Sequence, residues 1–198
     1  MRSTPIKAAA LALVPLVAAA PGWAVPIVGG TTEVEVTADL AGLGLTGAPF
    51  GTATADAGGA NPVFAFPITG GSIDDGLLTA VVEHEGSGVT LSAGEVAVTV
   101  GNFLVDAPSG AVEGDVIDGP QDLVLFDFGA IGEDGIELLI SETLGGALFD
   151  VFGAEGLAGA QFGLATTAPE VAPIPLPAGG ALLIGGLAAL GLARRRRN

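Results

Sequence analysis

The stretch from Leu77 to Ile117, LLTAVVEHEGSGVTLSAGEVAVTVGNFLVDAPSGAVEGDVI, decides the fold class. Leu78, Ala80 and Val82 alternate with Thr79, Val81 and Glu83, the period of two that a strand with one buried face requires. Gly86-Ser87-Gly88 reads as a turn, Val89 to Ser92 as the returning strand, and Ala93-Gly94 as a second turn into Glu95 to Val100. Phe103 to Asp106 continues that run, and Pro108-Ser109-Gly110 turns the chain into Ala111 to Ile117. Turns recurring every ~8 to 12 residues between short β-rich runs indicate an antiparallel meander, sandwich or open barrel.

The flanks extend the same pattern. Thr32 to Leu40 sets Val34, Val36, Ala38 and Leu40 against Glu33, Glu35, Thr37 and Asp39, a half-buried strand. Asn61 to Ile68 puts Phe64 and Phe66 on one face, and Pro67 marks it as an edge strand, because proline donates nothing to a ladder. Gln121 to Phe128, Gly135 to Ile140 and Ala160 to Thr166 are further strands. Ser141 to Phe152 changes period: Ser141 followed by Glu142 suits a helix start, and Leu144, Leu148, Val151 and Phe152 fall at helical spacing. The expected body is all-β, an antiparallel sandwich or meander with one short C-terminal helix.

Charge is segregated along the chain. All six basic residues lie at the ends (Arg2, Lys7, Arg194 to Arg197), and all 22 acidic residues lie between Glu33 and Glu170. A body without Lys or Arg lacks the cations through which phosphates are usually held, which argues against nucleic acid and anionic lipid as partners of the body. Its carboxylates must be solvated, bonded to backbone N–H groups, or neutralised by cations. The absence of cysteine removes disulfides, thiolate nucleophiles and zinc–sulfur sites together.

The N-terminus has the three parts of a secretory signal: a basic start, an apolar run from Ala8 to Ala20 interrupted by Pro15, and small residues Gly22 and Ala24 flanking Trp23. Cleavage is expected after Ala24, with Ala18-Ala19-Ala20 as a second site, so Sec-type export machinery and signal peptidase are expected partners. At the other end, Pro169, Pro173, Pro175 and Pro177 make an extended linker, followed by an uncharged stretch over 178–193 and four arginines. As a helix the stretch is about 24 Å long against a bilayer core of about 30 Å, a short transmembrane helix. Arg194, Arg195, Arg196 and Arg197 would hold the C-terminus in the cytoplasm and leave the body on the other side. Ala181, Gly185, Ala189 and Ala193 form a small-residue row on one face of that helix. The expected organisation is a signal peptide over 1–24, an acidic exported domain over 25–168, linker and sorting motif over 169–177, a transmembrane helix over 178–193 and a cytoplasmic tail over 194–198.

The string Ile174-Pro175-Leu176-Pro177-Ala178, then glycine, a short apolar helix and an arginine cluster, resembles the VPLPA variant of the PEP-CTERM sorting signals of Gram-negative bacteria, with isoleucine where valine is usual. The resemblance covers about 25 residues and implies an exosortase-type transpeptidase as partner, cutting near Pro175 to Ala178 and delivering the protein to the cell surface or extracellular matrix. In the body, Glu83-His84-Glu85-Gly86, Asn102-Phe103, Asp106 and a final helix resemble HtaA-type surface domains. Some of those bind haem through a tyrosine, and this chain has none, so no haem ligand carries over.

Candidate chemistry in the body is sparse. His84 is the only histidine, so a nucleophilic triad would depend on it alone, and on a strand it would point away from Glu83 and Glu85. Glycoside hydrolysis needs two carboxyl groups in a cleft, and sugar platforms are poor where Tyr is absent and the sole Trp lies in the signal. Glu113, Asp115, Asp118 and Asp122 crowd one strand–turn and offer hard oxygen ligands suited to Ca²⁺, as do Glu133, Asp134 and Glu137, though neither spacing is that of an EF-hand. No catalytic residue and no obligatory cofactor are expected. The leading expectation is a non-enzymatic surface or matrix protein. The alternatives are a module binding Ca²⁺ or a small ligand, and a carboxylate-based hydrolase.

Overall fold

A computed structural model describes residues 24–56, 58–59, 61–74 and 76–173, together with the isolated helical positions 185, 187 and 195. The described residues form eleven strands and one α-helix: β1 (Val25–Val36), β2 (Thr46–Gly51), β3 (Thr54–Asp56), β4 (Val63–Pro67), β5 (Gly70–Ile73), β6 (Val81–Ala93), β7 (Val96–Asp106), β8 (Ala111–Val116), β9 (Leu123–Gly132), β10 (Gly135–Ile140), α1 (Glu142–Phe152) and β11 (Gln161–Val171). Strands β6 to β11 are antiparallel neighbours in chain order, the meander that the sequence indicates.

The sheet does not split into a sandwich. Strand β1 pairs with β11 along one edge and with β4 and β5 along the other, and β5 pairs with β6, so the sheet closes on itself. Strands β4 and β5 lie on one line against β1, from Glu35↔Val63 to Val25↔Ile73. Counting them as one bent stave, the wall has eight staves, a size whose interior is filled by side chains or holds one small ligand. Strands β2 and β3 pair with β6 and β4 where those two diverge.

The closure explains Pro67. The Ile68 amide donates to Gly30 O and the Thr69 amide to Glu83 O, so alternation turns position 67 away from β1. Strand β3 pairs only with Val63 to Ala65 and β6 begins pairing at Gly70, so proline sits in the gap and forfeits no ladder bond. Strand β4 is therefore an edge only at this one point.

Gly86-Ser87-Gly88 is not a turn. Strand β6 runs through it as a bulge, with a register shift between His84 and Gly88, and β7 shifts at the same level through Asn102, whose φ is 52°. Strand β7 carries one extra residue against β8, and β6 sets residues 85–87 against Asn102 alone, so on both strands the side chains change face past this level. Val82 and His84 point inward before the bulge and Val89 and Leu91 after it, while Val100 and Phe103 show the matching switch on β7. The Gly86 amide donates to Asn102 Oδ1 at 2.9 Å, tying the two shifts together.

Other boundaries move as well. Strand β1 begins at Val25, and it ends at Val36, so Ala38 and Leu40 belong to the following loop. Leu77 to Thr79 form a 3-10 turn in which both leucines are exposed. Strand β11 continues through Pro169 to Val171, three residues into the expected linker. The helix is where the sequence places it: Ser141 Oγ accepts from the Leu144 amide, Leu144 and Leu148 are buried, and Gly153 ends it in the left-handed region.

Both apolar clusters lie inside the wall. The larger, including Val36, Phe64, Phe103, Leu125 and Leu148, reaches to the end covered by α1. The smaller, Ile27, Ile68, Ala80 and Val82, plugs the end where β1 begins and β11 finishes, with Ala172 N donating to Pro26 O. Among the described residues the strand pairings and both clusters lie within 25–171.

Residues 1–23, the motif Ile174 to Ala178, and Arg194, Arg196 and Arg197 lie outside the described residues, as does 178–193 apart from Gly185 and Leu187. Ala24 is exposed beside β1, and Arg195 is exposed and helical. Among the described residues no helix is long and apolar enough to cross a membrane.

Candidate ligand cavity inside the barrel

The inward switch at the two bulges leaves a space between the walls. It is a cavity of about 420 Å³ walled by apolar side chains, among them Val34, Phe64, Phe66, Val89, Leu91, Val100, Phe103, Leu138 and Ile140. At the α1 end, Leu144 and Leu148 of the helix and Leu40 and Leu45 of the 37–45 loop cover it. Asp39, Gly42, Leu43 and Gln161 line the same space and are solvent-exposed, which marks the mouth. Protein interiors pack to crystal density with few voids larger than a water molecule.

The floor is polar, and three strands build it. Thr32 on β1 and Thr167 on β11 are register partners with their hydroxyls 3.1 Å apart. His84 on β6 is 1% exposed, its Nε2 lies 2.8 Å from Thr32 Oγ1, and its Nδ1 lies 3.3 Å from the Phe103 carbonyl. A carbonyl only accepts, so Nδ1 carries the hydrogen and Nε2 accepts from the Thr32 hydroxyl. Phe66 stands edge-on to both the imidazole and the Phe103 ring.

Burial lowers the His84 pKa to about 4, the bond to the Phe103 carbonyl opposing it only in part. The ring is neutral at physiological pH. A threonine hydroxyl donating to an imidazole has the order of a nucleophile and its base, but here the base is weak. Its other nitrogen is held by a neutral carbonyl, which supplies no charge to balance an imidazolium.

The sequence reading of His84 as a strand residue turned away from Glu83 and Glu85 holds, since both glutamates are exposed and the imidazole is inside. Asp115 Oδ2 accepts from Asn102 Nδ2 at 2.9 Å and Oδ1 accepts from the Asp122 amide at 3.0 Å, so this carboxylate pins the β7 bulge to the β8–β9 turn. Asp118 and Asp122 hold left-handed turn positions, with φ of 65° and 53°. Glu113 with Glu83, Glu85, Asp115 and Asp122 lines an open polar depression. Among the described residues no group of three or more acidic or histidine side chains is placed to hold a metal ion. Glu137, from the other acidic cluster, caps the Ala130 amide at 3.0 Å.

The cavity escaped the sequence reading. Its one local signal is the reversal of apolar parity across Gly86-Ser87-Gly88, which a turn explains equally well until the partner strand is known. Comparison with known proteins finds no family profile that matches the chain, no similar curated protein and no similar solved structure.

Proposed function

We propose that this chain is an exported envelope protein whose barrel holds a small, largely apolar ligand in its interior, without a catalytic step. One observation carries the reading: an eight-stave wall encloses about 420 Å³ lined by apolar side chains over a small hydrogen-bonding floor. Ligand sites combine this size and lining with a few placed polar groups, and barrel mouths are a common location for them. The signal-like N-terminus and the Ile174 to Ala178 tail motif support export and delivery to the cell surface or extracellular matrix of a Gram-negative bacterium, by an exosortase-type enzyme.

Binding is tested by titrating residues 24–173 with the apolar fluorophore N-phenyl-1-naphthylamine. The expected result is saturable emission enhancement at one site per chain and a raised melting temperature. Non-saturating emission with an unchanged melting temperature would sink the binding reading. The export reading is checked separately by intact mass of the surface and secreted fractions from the native cell. A mature form beginning at Val25 and lacking Arg194 to Arg197 is expected, and retention of those arginines would refute sorting.

A further inference from the structure

The proton order on the cavity floor selects the head group of the ligand, an inference that rests on the binding reading above. The Phe103 carbonyl has no hydrogen, so His84 Nδ1 supplies the one between them. His84 Nε2 is then a bare lone pair, and the single hydrogen of Thr32 goes to it at 2.8 Å. The 3.1 Å contact between Thr32 and Thr167 must therefore use the hydrogen of Thr167. The chain of donors runs Thr167 to Thr32 to His84 to Phe103 and stops there. Thr167 Oγ1 is left with unused lone pairs and its one hydrogen committed to Thr32, and Thr167 lines the cavity.

A floor that only accepts is selective. A carboxylate or phosphate would set lone pairs against lone pairs, and no Lys or Arg lies between Val25 and Ala193 to compensate. An ether or ketone oxygen could be bonded only by drawing the Thr167 hydrogen away from Thr32. An ammonium could donate, but an isolated charge in an apolar cavity carries a large desolvation cost. We infer that the cavity takes a neutral molecule with an apolar body and one terminal hydroxyl, which donates to Thr167 Oγ1 at the floor. The aliphatic or isoprenoid remainder fills the space below α1 and meets the wall formed by Val89, Leu91, Val100 and Phe103.

The test displaces N-phenyl-1-naphthylamine from residues 24–173, near neutral pH, with three probes of similar length: 1-dodecanol, 1-methoxydodecane and dodecanoate. The alcohol is expected to displace the fluorophore at a concentration about tenfold below the ether, the worth of one hydrogen bond, and the carboxylate to be weaker than either. In Thr167→Val the alcohol's advantage over the ether should shrink to about twofold, while Thr167→Ser should retain it. An ether as good as the alcohol, or a carboxylate that binds best, overturns the inference even though the fluorophore binds. An advantage that survives Thr167→Val overturns the placement of the head group. Failure of the fluorophore to bind at all falls on the binding reading itself.

Discussion

The hydroxyls of Thr32 and Thr167 meet at 3.1 Å across the seam between the first strand and the last. Their pairing spans 135 positions of sequence, and it both closes the barrel and completes the floor of its cavity. Thr32 also bonds His84, so one short polar chain joins β11, β1, β6 and β7 at a single level. Above that level the interior is apolar and hollow; below it Ile27, Ile68, Ala80 and Val82 fill the space.

Acid should destabilise the barrel through His84. Its folded pKa of about 4 lies below the ordinary value of 6.5, so between those limits the unfolded chain binds the extra proton. Stability contributed by the neutral ring is thus complete above pH 6.5 and is lost as pH falls toward about 4, at up to about 1.4 kcal/mol per unit. Urea unfolding of wild type and His84→Asn across that window checks it. The difference between the two proteins should shrink as pH falls, and a constant difference would show that His84 does not titrate against burial.

Filling the cavity should abolish ligand binding at little cost in stability. Val100 lines the space, and Val100→Phe would place added carbons where no atoms now sit. In a fully packed core the same enlargement costs about 1–3 kcal/mol. Here a change under about 1 kcal/mol with loss of N-phenyl-1-naphthylamine binding is expected, measured by urea denaturation and fluorescence titration. A large destabilisation would mean that the wall is already in contact.

Gly88 should tolerate no side chain. A Cβ there would lie 2.2 Å from the Val100 carbonyl oxygen and 2.7 Å from Gly101 Cα, backbone atoms that cannot swing away. Gly88→Ala is expected to cost more than about 2 kcal/mol in urea unfolding. Gly86→Asn, at a left-handed position with open space around its Cβ, should cost less than about 1 kcal/mol. Equal behaviour of the two would refute the close approach of β6 and β7 at the bulge.

Ser141 joins two elements through one oxygen. Its hydroxyl donates to the Val124 carbonyl at 2.6 Å and accepts from the Leu144 amide at 3.0 Å, capping α1 while holding it to β9. Ser141→Ala should cost about 1–2 kcal/mol, and Ser141→Thr should recover most of it. Because α1 covers the cavity, amide exchange near Leu144 and Leu148 should accelerate in the alanine variant before exchange in β6 does.

Features governed by short-range chemistry were legible in the chain alone. The turns at Ala93-Gly94 and Pro108-Ser109-Gly110, the strand from Gly135 to Ile140 and the helix behind Ser141 depend on residues within a few positions of one another, and all stand where local patterns put them. The tertiary structure alone decided that the sheet closes, that Gly86 to Gly88 is a bulge, and that Asp115 serves Asn102 and the Asp122 amide. It also decided that His84 lies under a cavity. Each of these depends on which distant strand lies alongside: a parity switch in β6 can remain one strand only because β7 switches at the same level, and a threonine becomes a floor only when its partner, 135 residues away, arrives opposite it.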